Sequence, residues 1–206
     1  ALDYAFGRGM TKGILTTFGV GYAPDSWDSL VKAMLAKGYT EEELKESGLV
    51  TVSQKNGRLF DRFRGRLMFP IIDVRGNIIG FGGRVLDDSK PKYINSSDTL
   101  VYKKSENLFG INYAKNNCSE QIILVEGNMD VISLHQAGFN NAVAPLGTAF
   151  TPEQVNLIAR YTKEIVLMLD ADAAGQKAIR RASQMLENTG LNVRVVVIPD
   201  GKDPDE

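Results

Sequence analysis

The chain of 206 residues is expected to be an α/β protein, with a mixed α/β N-terminal lobe over residues 1–115 and a Rossmann-like subdomain with a mainly parallel sheet over residues 116–206. Three observations predict this. From Gln121 onward, the apolar runs QIILVEGNMD, EIVLMLDAD and VRVVVIPDGKDPDE alternate with segments of helical spacing, the order of strands joined by crossover helices. Residues 122–125, 165–169 and 195–198 are continuously apolar, which suits strands buried on both faces of a parallel sheet. The first half of the chain reads differently, with short helical segments followed by turn signals between strand-like runs.

In the N-terminal lobe, helices are expected over residues 26–36 and 40–46. The second has a capping box, Thr40 with Glu43. Two hairpins follow, turning at Asn56-Gly57 and at Arg75-Gly76-Asn77. Gly80, Gly82 and Gly83 permit close backbone approach just before Arg84. Arg62, Arg64 and Arg66 recur at period two, placing all three on one strand face that either tracks a phosphate backbone or is simply solvated. Phe60, Phe63, Phe81 and Tyr93 alternate as core residues do, and none is assigned as a base platform. In the second subdomain, a helix is expected over residues 129–136. Another opens with Thr151 as cap, Pro152 at its first position and Gln154 three residues past the cap, and buries Val155, Ile158 and Ala159. A third covers residues 173–188, with Ala178, Ile179, Ala182, Met185 and Leu186 on one face and Gly190 to end it.

Each of the three apolar runs ends in carboxylates: Glu126 and Asp130, Asp170 and Asp172, Asp203 and Asp205. In open α/β sheets, ligands bind beyond the carboxyl ends of the strands, where these acids fall. Clustered carboxylates repel one another unless a cation neutralises them. Oxygen donors favour magnesium, with manganese able to substitute, over zinc, and two such ions can clamp an in-line displacement at phosphorus. The single Cys118 excludes a disulfide framework, and the single His135 reads as structural. No apolar run is long enough to span a membrane. The net charge of −1 conceals polarity. Residues 55–104 hold eleven Lys or Arg against five Asp, and residues 105–206 hold eight basic against thirteen acidic. The first stretch suits nucleic acid and the second suits metal.

Glu126, then Asp170-Ala171-Asp172, then Asp203-Pro204-Asp205 resembles the Toprim domain of primases, topoisomerases and some nucleases. VEGNMDVISLHQAG, VAPLGTAFTPEQ, LMLDADAAGQKA and IPDGKDPDE are similar to the DnaG-type bacterial replicative primases, as are FGVGYAP, FDRFRGRLMFPI, GNIIGFGGRVL and PKYINS outside Toprim. The resemblance implies DNA-templated synthesis of RNA primers on single-stranded DNA from ribonucleoside triphosphates, with pyrophosphate released, in the bacterial cytoplasm. It implies Glu126, Asp170 and Asp172 as catalytic metal ligands, completed by Asp203 and Asp205, with Asp130 behind them. It also implies a basic nucleotide or template surface of Arg8, Arg84, Lys92, Asn95 and Lys104. The family's N-terminal zinc domain and C-terminal helicase-binding domain are not represented, so zinc and the helicase are expected of those parts alone, and this chain of a monomeric catalytic core.

The chain departs from the family's pattern at four positions, one of them Ala171 in place of Gly, which adds a methyl that a negative φ tolerates. The basic residue usual after the second Asp is missing at Ala173 and Gln176, and Lys177, Arg180 or Arg181 stand near enough to substitute. Asn128 occupies a position where Tyr or Phe is common, and reads as harmless. Three rivals use similar acids. A Toprim nuclease would cleave with the same metals, a haloacid-dehalogenase-type phosphatase needs Thr or Val where Ala174 stands, and a topoisomerase needs a tyrosine domain for which there is no room. A core that binds template and nucleotides without initiating is the remaining alternative.

Overall fold

A computed structural model describes residues 1–147, 149–169, 173–187 and 189–196. Two short helices open the chain, α1 (Leu2–Gly7) and α2 (Lys12–Thr17). Six residues each is too short for a helical period to show in sequence. α2 is nevertheless capped, with the Thr11 hydroxyl accepting the Ile14 N–H at 3.3 Å. After β1 (Gly21–Ala23) come α3 (Ser29–Ala36) and α4 (Glu41–Glu46), then the hairpin of β2 (Val50–Val52) and β3 (Leu59–Asp61). α4 begins with the expected capping box: the Glu43 N–H donates to the Thr40 hydroxyl at 3.2 Å and the Thr40 N–H to the Glu43 carboxylate at 2.7 Å.

α3 begins at Ser29 rather than Ser26 because its cap comes from far along the chain. Asp61, only 2 % exposed, accepts the Leu30 N–H at 2.8 Å, the Val31 N–H at 3.0 Å and the Ser29 hydroxyl at 3.1 Å. The carboxylate satisfies the helix's orphan donors and meets the positive end of its dipole. Asp61→Ala is therefore expected to destabilise the fold by about 2 kcal/mol, read as a lower urea midpoint. A loss under about 0.5 kcal/mol would place it with ordinary surface substitutions and remove its capping role.

The main sheet of this lobe contains β4 (Arg66–Ile72), β5 (Ile78–Val85) and β6 (Tyr93–Asn95), in the antiparallel order β1-β4-β5-β6. The second hairpin turns where expected, at Gly76 with φ 94°, and Asp73 accepts the N–H groups of Arg75 and Asn77 at 2.8 and 2.9 Å. The three arginines do not share a strand face. Gly65, at φ 58°, breaks the chain between β3 and β4, so Arg62 and Arg64 lie in the connection and only Arg66 is in a strand.

A 3-10 turn (Lys104–Glu106) and α5 (Ile111–Ala114) lead into the second subdomain: β7 (Ile122–Leu124), α6 (Asn128–Gln136), β8 (Ala142–Val143), α7 (Pro152–Ile158), β9 (Glu164–Leu167), α8 (Ala173–Leu186) and β10 (Asn192–Val195). All four strands are parallel, in the order β10-β9-β7-β8. α7 carries the expected box between Thr151 and Gln154. β7 is buried throughout, as its apolar run suggests. β10 is not: it pairs with β9 alone at the sheet edge, and Val195 is 46 % exposed. The apolar residues 197 and 198 lie outside the described residues. Two-residue β8 leaves no periodicity to read.

Alternate residues of the parallel sheet feed two cores, following the strand period of two. Ile122, Leu124, Ile165 and Leu167 pack with Val155, Ile158 and Leu186 on one side. Ile123, Val125 and Val166 enter the other, which also holds Phe69 and Ile71 of β4, Phe18 and Phe109. That shared core joins the two sheets and sets the gap between them. His135 serves this packing: its Nε2 lies 3.0 Å from the Ala142 carbonyl, its ring meets Phe18 edge-on, and burial pushes its pKa down. Among the described residues, no helix is long and apolar enough to cross a membrane.

Candidate functional site

Glu126 lies two residues past the end of β7, at the carboxyl end of a central strand, and its side chain is exposed. The turn presenting it is fixed from behind by Asp130, whose carboxylate accepts the Gly127 N–H at 2.9 Å and is itself 8 % exposed. From Glu126 a cleft of about 320 Å³ runs between the two sheets, with Asp130 on the same wall and Arg8, Arg84, Lys92 and Asn95 opposite. Six residues expected from sequence thus meet in one place. Lys104 does not join them. It starts the 3-10 turn, with its main-chain N–H on Asp98 at 3.1 Å and its carbonyl on Gln154 at 3.0 Å. Asp170, Asp172, Asp203 and Asp205 lie outside the described residues, and among those described no group of three or more His, Cys, Asp or Glu is assembled.

Several parts of the structure hold the basic wall in position. Gln136, at the end of α6, takes the Thr11 N–H and hydroxyl at 2.8 and 3.0 Å and donates to the Gly9 carbonyl at 2.8 Å. This pins the segment that follows Arg8. The arginines expected to form a surface stripe work inside instead. Arg66, 8 % exposed, donates to the Pro91 and Lys92 carbonyls at 3.0 and 3.3 Å, and Arg62 donates twice to the Asn95 carbonyl, at 3.2 and 2.9 Å. They brace β6 and the two residues that lead into it. Gly82 and Gly147 leave room there. A Cβ on Gly82 would lie 2.8 Å from the Asn128 amide nitrogen and 2.9 Å from the Asn95 amide oxygen. Gly147 has φ 70°, and its Cβ would meet the Asn95 amide nitrogen at 2.8 Å.

Arg84 is the most unusual group in the site. It is 4 % exposed, its Nε finds no acceptor, and it forms no ion pair among the described residues. Its guanidinium lies between two rings, 5.2 Å from the Tyr4 centroid and 5.3 Å from that of Tyr93, its cross-strand neighbour. Cation–π contacts recover roughly 0.5–2 kcal/mol each, less than the several kcal/mol that burying a charge costs. An anion delivered to the cleft would complete the pairing. Burial also raises the Tyr93 phenol to about 12, keeping it neutral.

The cleft's described lining contains carboxylates and amides but no cysteine or histidine. Such hard oxygen donors fit magnesium or manganese rather than zinc. A second cleft of about 870 Å³ shares Glu126 and Pro145 with the first and is lined by Lys177 and Arg181 of α8. Sequence reasoning missed Trp27. It is 66 % exposed, with the Arg64 guanidinium 4.1 Å above its ring and Phe60 at 5.5 Å. Its signal in the sequence is a lone tryptophan in a polar segment, outside any apolar period.

The family model described as DNA primase catalytic core, N-terminal domain, matches residues 1–115, and a Toprim-like model matches residues 123–206. The chain is 53 % identical over 207 residues to a DNA primase of Clostridium acetobutylicum, covering 100 % of this chain and 34 % of that protein. It is 49 % identical to a DNA primase of Deinococcus radiodurans, covering 99 % and 36 %. It therefore spans about a third of the length of these relatives. A DNA primase domain from Pseudomonas aeruginosa superposes with a TM-score of 0.91 at 45 % identity, over 99 % of this chain and 65 % of that one. A DnaG primase catalytic domain bound to ssDNA superposes with a TM-score of 0.89 at 37 % identity, over 98 % and 65 %.

Proposed function

Since the chain belongs to the DNA primase catalytic core family, we propose that it synthesises short RNA primers on a single-stranded DNA template from ribonucleoside triphosphates. The observation that carries this reading is Arg84, a buried guanidinium with no ion pair among the described residues, facing the Glu126 strand end across one cleft. The reaction is attack by a primer 3′-hydroxyl on the α-phosphorus of the incoming triphosphate, with pyrophosphate leaving. Arg84, Lys92 and Arg8 hold the triphosphate and offset its charge, and Arg84 can do so bidentately because its guanidinium plane is fixed by Tyr4 and Tyr93. Asn95 forms part of the nucleotide wall, held by Arg62. Glu126, with Asp170, Asp172, Asp203 and Asp205, would hold magnesium or manganese. Such ions lower the pKa of the attacking hydroxyl and stabilise charge on the phosphates. Asp130 keeps Glu126 in position through the Gly127 N–H. Lys104, outside the cleft lining, is left to contacts with nucleic acid beyond it.

The template is assigned to the N-terminal lobe, across the exposed Trp27 ring, which half-buried Arg64 and Phe60 hold in place, since bases stack on such rings whatever their sequence. Trp27→Ala is expected to weaken single-stranded DNA binding roughly tenfold, measured by fluorescence anisotropy at fixed salt, and to leave nucleotide binding alone. Unchanged DNA affinity would move the template path elsewhere. The assigned setting is the bacterial cytoplasm, at replication forks, with the chain monomeric and the replicative helicase a partner of the whole protein. The experiment that tests the activity is incorporation of labelled ribonucleotides on single-stranded DNA with magnesium or manganese, the same DNA being scored for cleavage. RNA product is expected. Cleavage without synthesis would establish a nuclease, and binding without either would leave a non-initiating core.

A further inference from the structure

Asn128, the first residue of α6, is 8 % exposed, and its amide makes no hydrogen bond among the described residues. A primary amide offers two donor hydrogens and an acceptor oxygen, and here they are open to the cleft rather than met within the fold. Helix formation does not account for it. The cap of α6 is made by Asp130 on the Gly127 N–H, not by Asn128. The residue lines the cleft, so the unmet amide atoms have only the cleft to turn to.

Asn95 supplies the other half. Its amide nitrogen is spent on the Leu146 carbonyl at 2.8 Å, which fixes which end of the amide is which and leaves its oxygen as an acceptor with no donor. The Asn95 oxygen and the Asn128 nitrogen approach the same point above β5, 2.9 and 2.8 Å from where a Gly82 Cβ would stand. A donor from the α6 side and an acceptor from the β6 side therefore meet beside Gly82. A phosphate satisfies only the donor and an ammonium only the acceptor, but a hydroxyl donates to one and accepts from the other. The pair sits between the cationic end of the cleft, at Arg84 and Lys92, and Glu126 at the other. In a nucleotide, the group adjoining the phosphates is the sugar.

We propose that Asn128 and Asn95 form a hydroxyl-reading pair that engages the 2′-hydroxyl of a bound nucleotide and selects ribonucleoside over deoxyribonucleoside triphosphates, an inference that rests on the nucleotide reading above. The 2′-hydroxyl is the one sugar group that separates the two classes, and it is both donor and acceptor. Sites built to hydrogen-bond a hydroxyl reject the analogue lacking it, because their own polar groups are then left unmet. Asn128 is thus a specificity-determining residue rather than a harmless departure.

The test is isothermal titration of this chain with ATP and with 2′-deoxy-ATP in magnesium, for the wild type and for Asn128→Leu. A leucine at this helical position leaves the Asp130 cap in place, and thermal melting of the variant checks its fold. The wild type is expected to favour ATP roughly tenfold, the size of one or two hydrogen bonds. Asn128→Leu is expected to abolish that preference by weakening ATP while leaving 2′-deoxy-ATP within about twofold. Equal wild-type affinities would overturn the hydroxyl reading and leave the nucleotide site standing. An equal loss of both ligands in Asn128→Leu would assign Asn128 a merely structural role. Failure of either nucleotide to bind the wild type would overturn the nucleotide site together with this inference.

Discussion

Arg84→Met is expected to weaken ribonucleoside triphosphate binding by at least roughly a hundredfold, the low end of what two charge-assisted hydrogen bonds at about 1.5–3 kcal/mol each supply, and yet to leave the fold at least as stable as before. The two halves of this result have one cause. Arg84 is 4 % exposed without an ion pair among the described residues, and its Nε has no acceptor. The native fold therefore bears a desolvation penalty that an anionic ligand would relieve. Replacing a buried charge by an apolar side chain of similar volume is often neutral or stabilising, and methionine is a flexible apolar chain suited to filling the slot between Tyr4 and Tyr93. Arg84→Lys is expected to recover little affinity, because an ammonium lacks the planar fork and the stacking that fix the guanidinium. Urea unfolding and nucleotide titration read the two halves separately. A destabilised Arg84→Met with undiminished nucleotide affinity would show that the guanidinium is a packing element and that the anion site lies elsewhere.

What could be read from sequence and what could not divides along the range of the interactions. The box at the start of α7 is legible because Thr151, Pro152 and Gln154 act on one another within a turn. The further work of Gln154, donating to the Lys104 and Asn107 carbonyls at 3.0 and 2.7 Å, spans the subdomains and leaves no local trace. The start of α3 is misread for the same reason, since its cap is Asp61 in a later hairpin. Period two in Arg62, Arg64 and Arg66 suggests a strand face. The strand stops at Asp61, and left-handed Gly65 turns the chain before Arg66, so each arginine goes to a different carbonyl or ring. β10 shows that an apolar run reports a strand but not its place in the sheet. The candidate site was more legible than the packing around it. Strand ends place carboxylates by topology alone, so Glu126 and Asp130 fall in the cleft once the strand is known. The basic wall was assigned by resemblance. The unmet amide of Asn128 becomes visible only when β5 and β6 are placed against α6.

Glu126→Gln is expected to reduce primer synthesis by roughly a thousandfold, at the upper end of what removing one transition-state electrostatic group costs, while single-stranded DNA binding persists. The substitution keeps the shape and removes one negative charge. Glu126 is exposed. The turn behind it is held by Asp130 through the Gly127 N–H, an interaction that the substitution leaves undisturbed. Divalent-ion affinity depends on the count of ligand charges, and Mn²⁺ binding is expected to fall at least tenfold with synthesis. That second reading separates two roles for the carboxylate. A general base could be lost with the ion still bound at full strength, whereas a ligand cannot. Asp130→Asn provides the contrast: its amide oxygen can still accept the Gly127 N–H, so a loss of about tenfold, typical of groups that orient a ligand from behind, is expected. Equal collapse of synthesis in both variants with undiminished Mn²⁺ binding would make Glu126 and Asp130 a proton-transfer pair, and would shift the ion to carboxylates beyond this strand end.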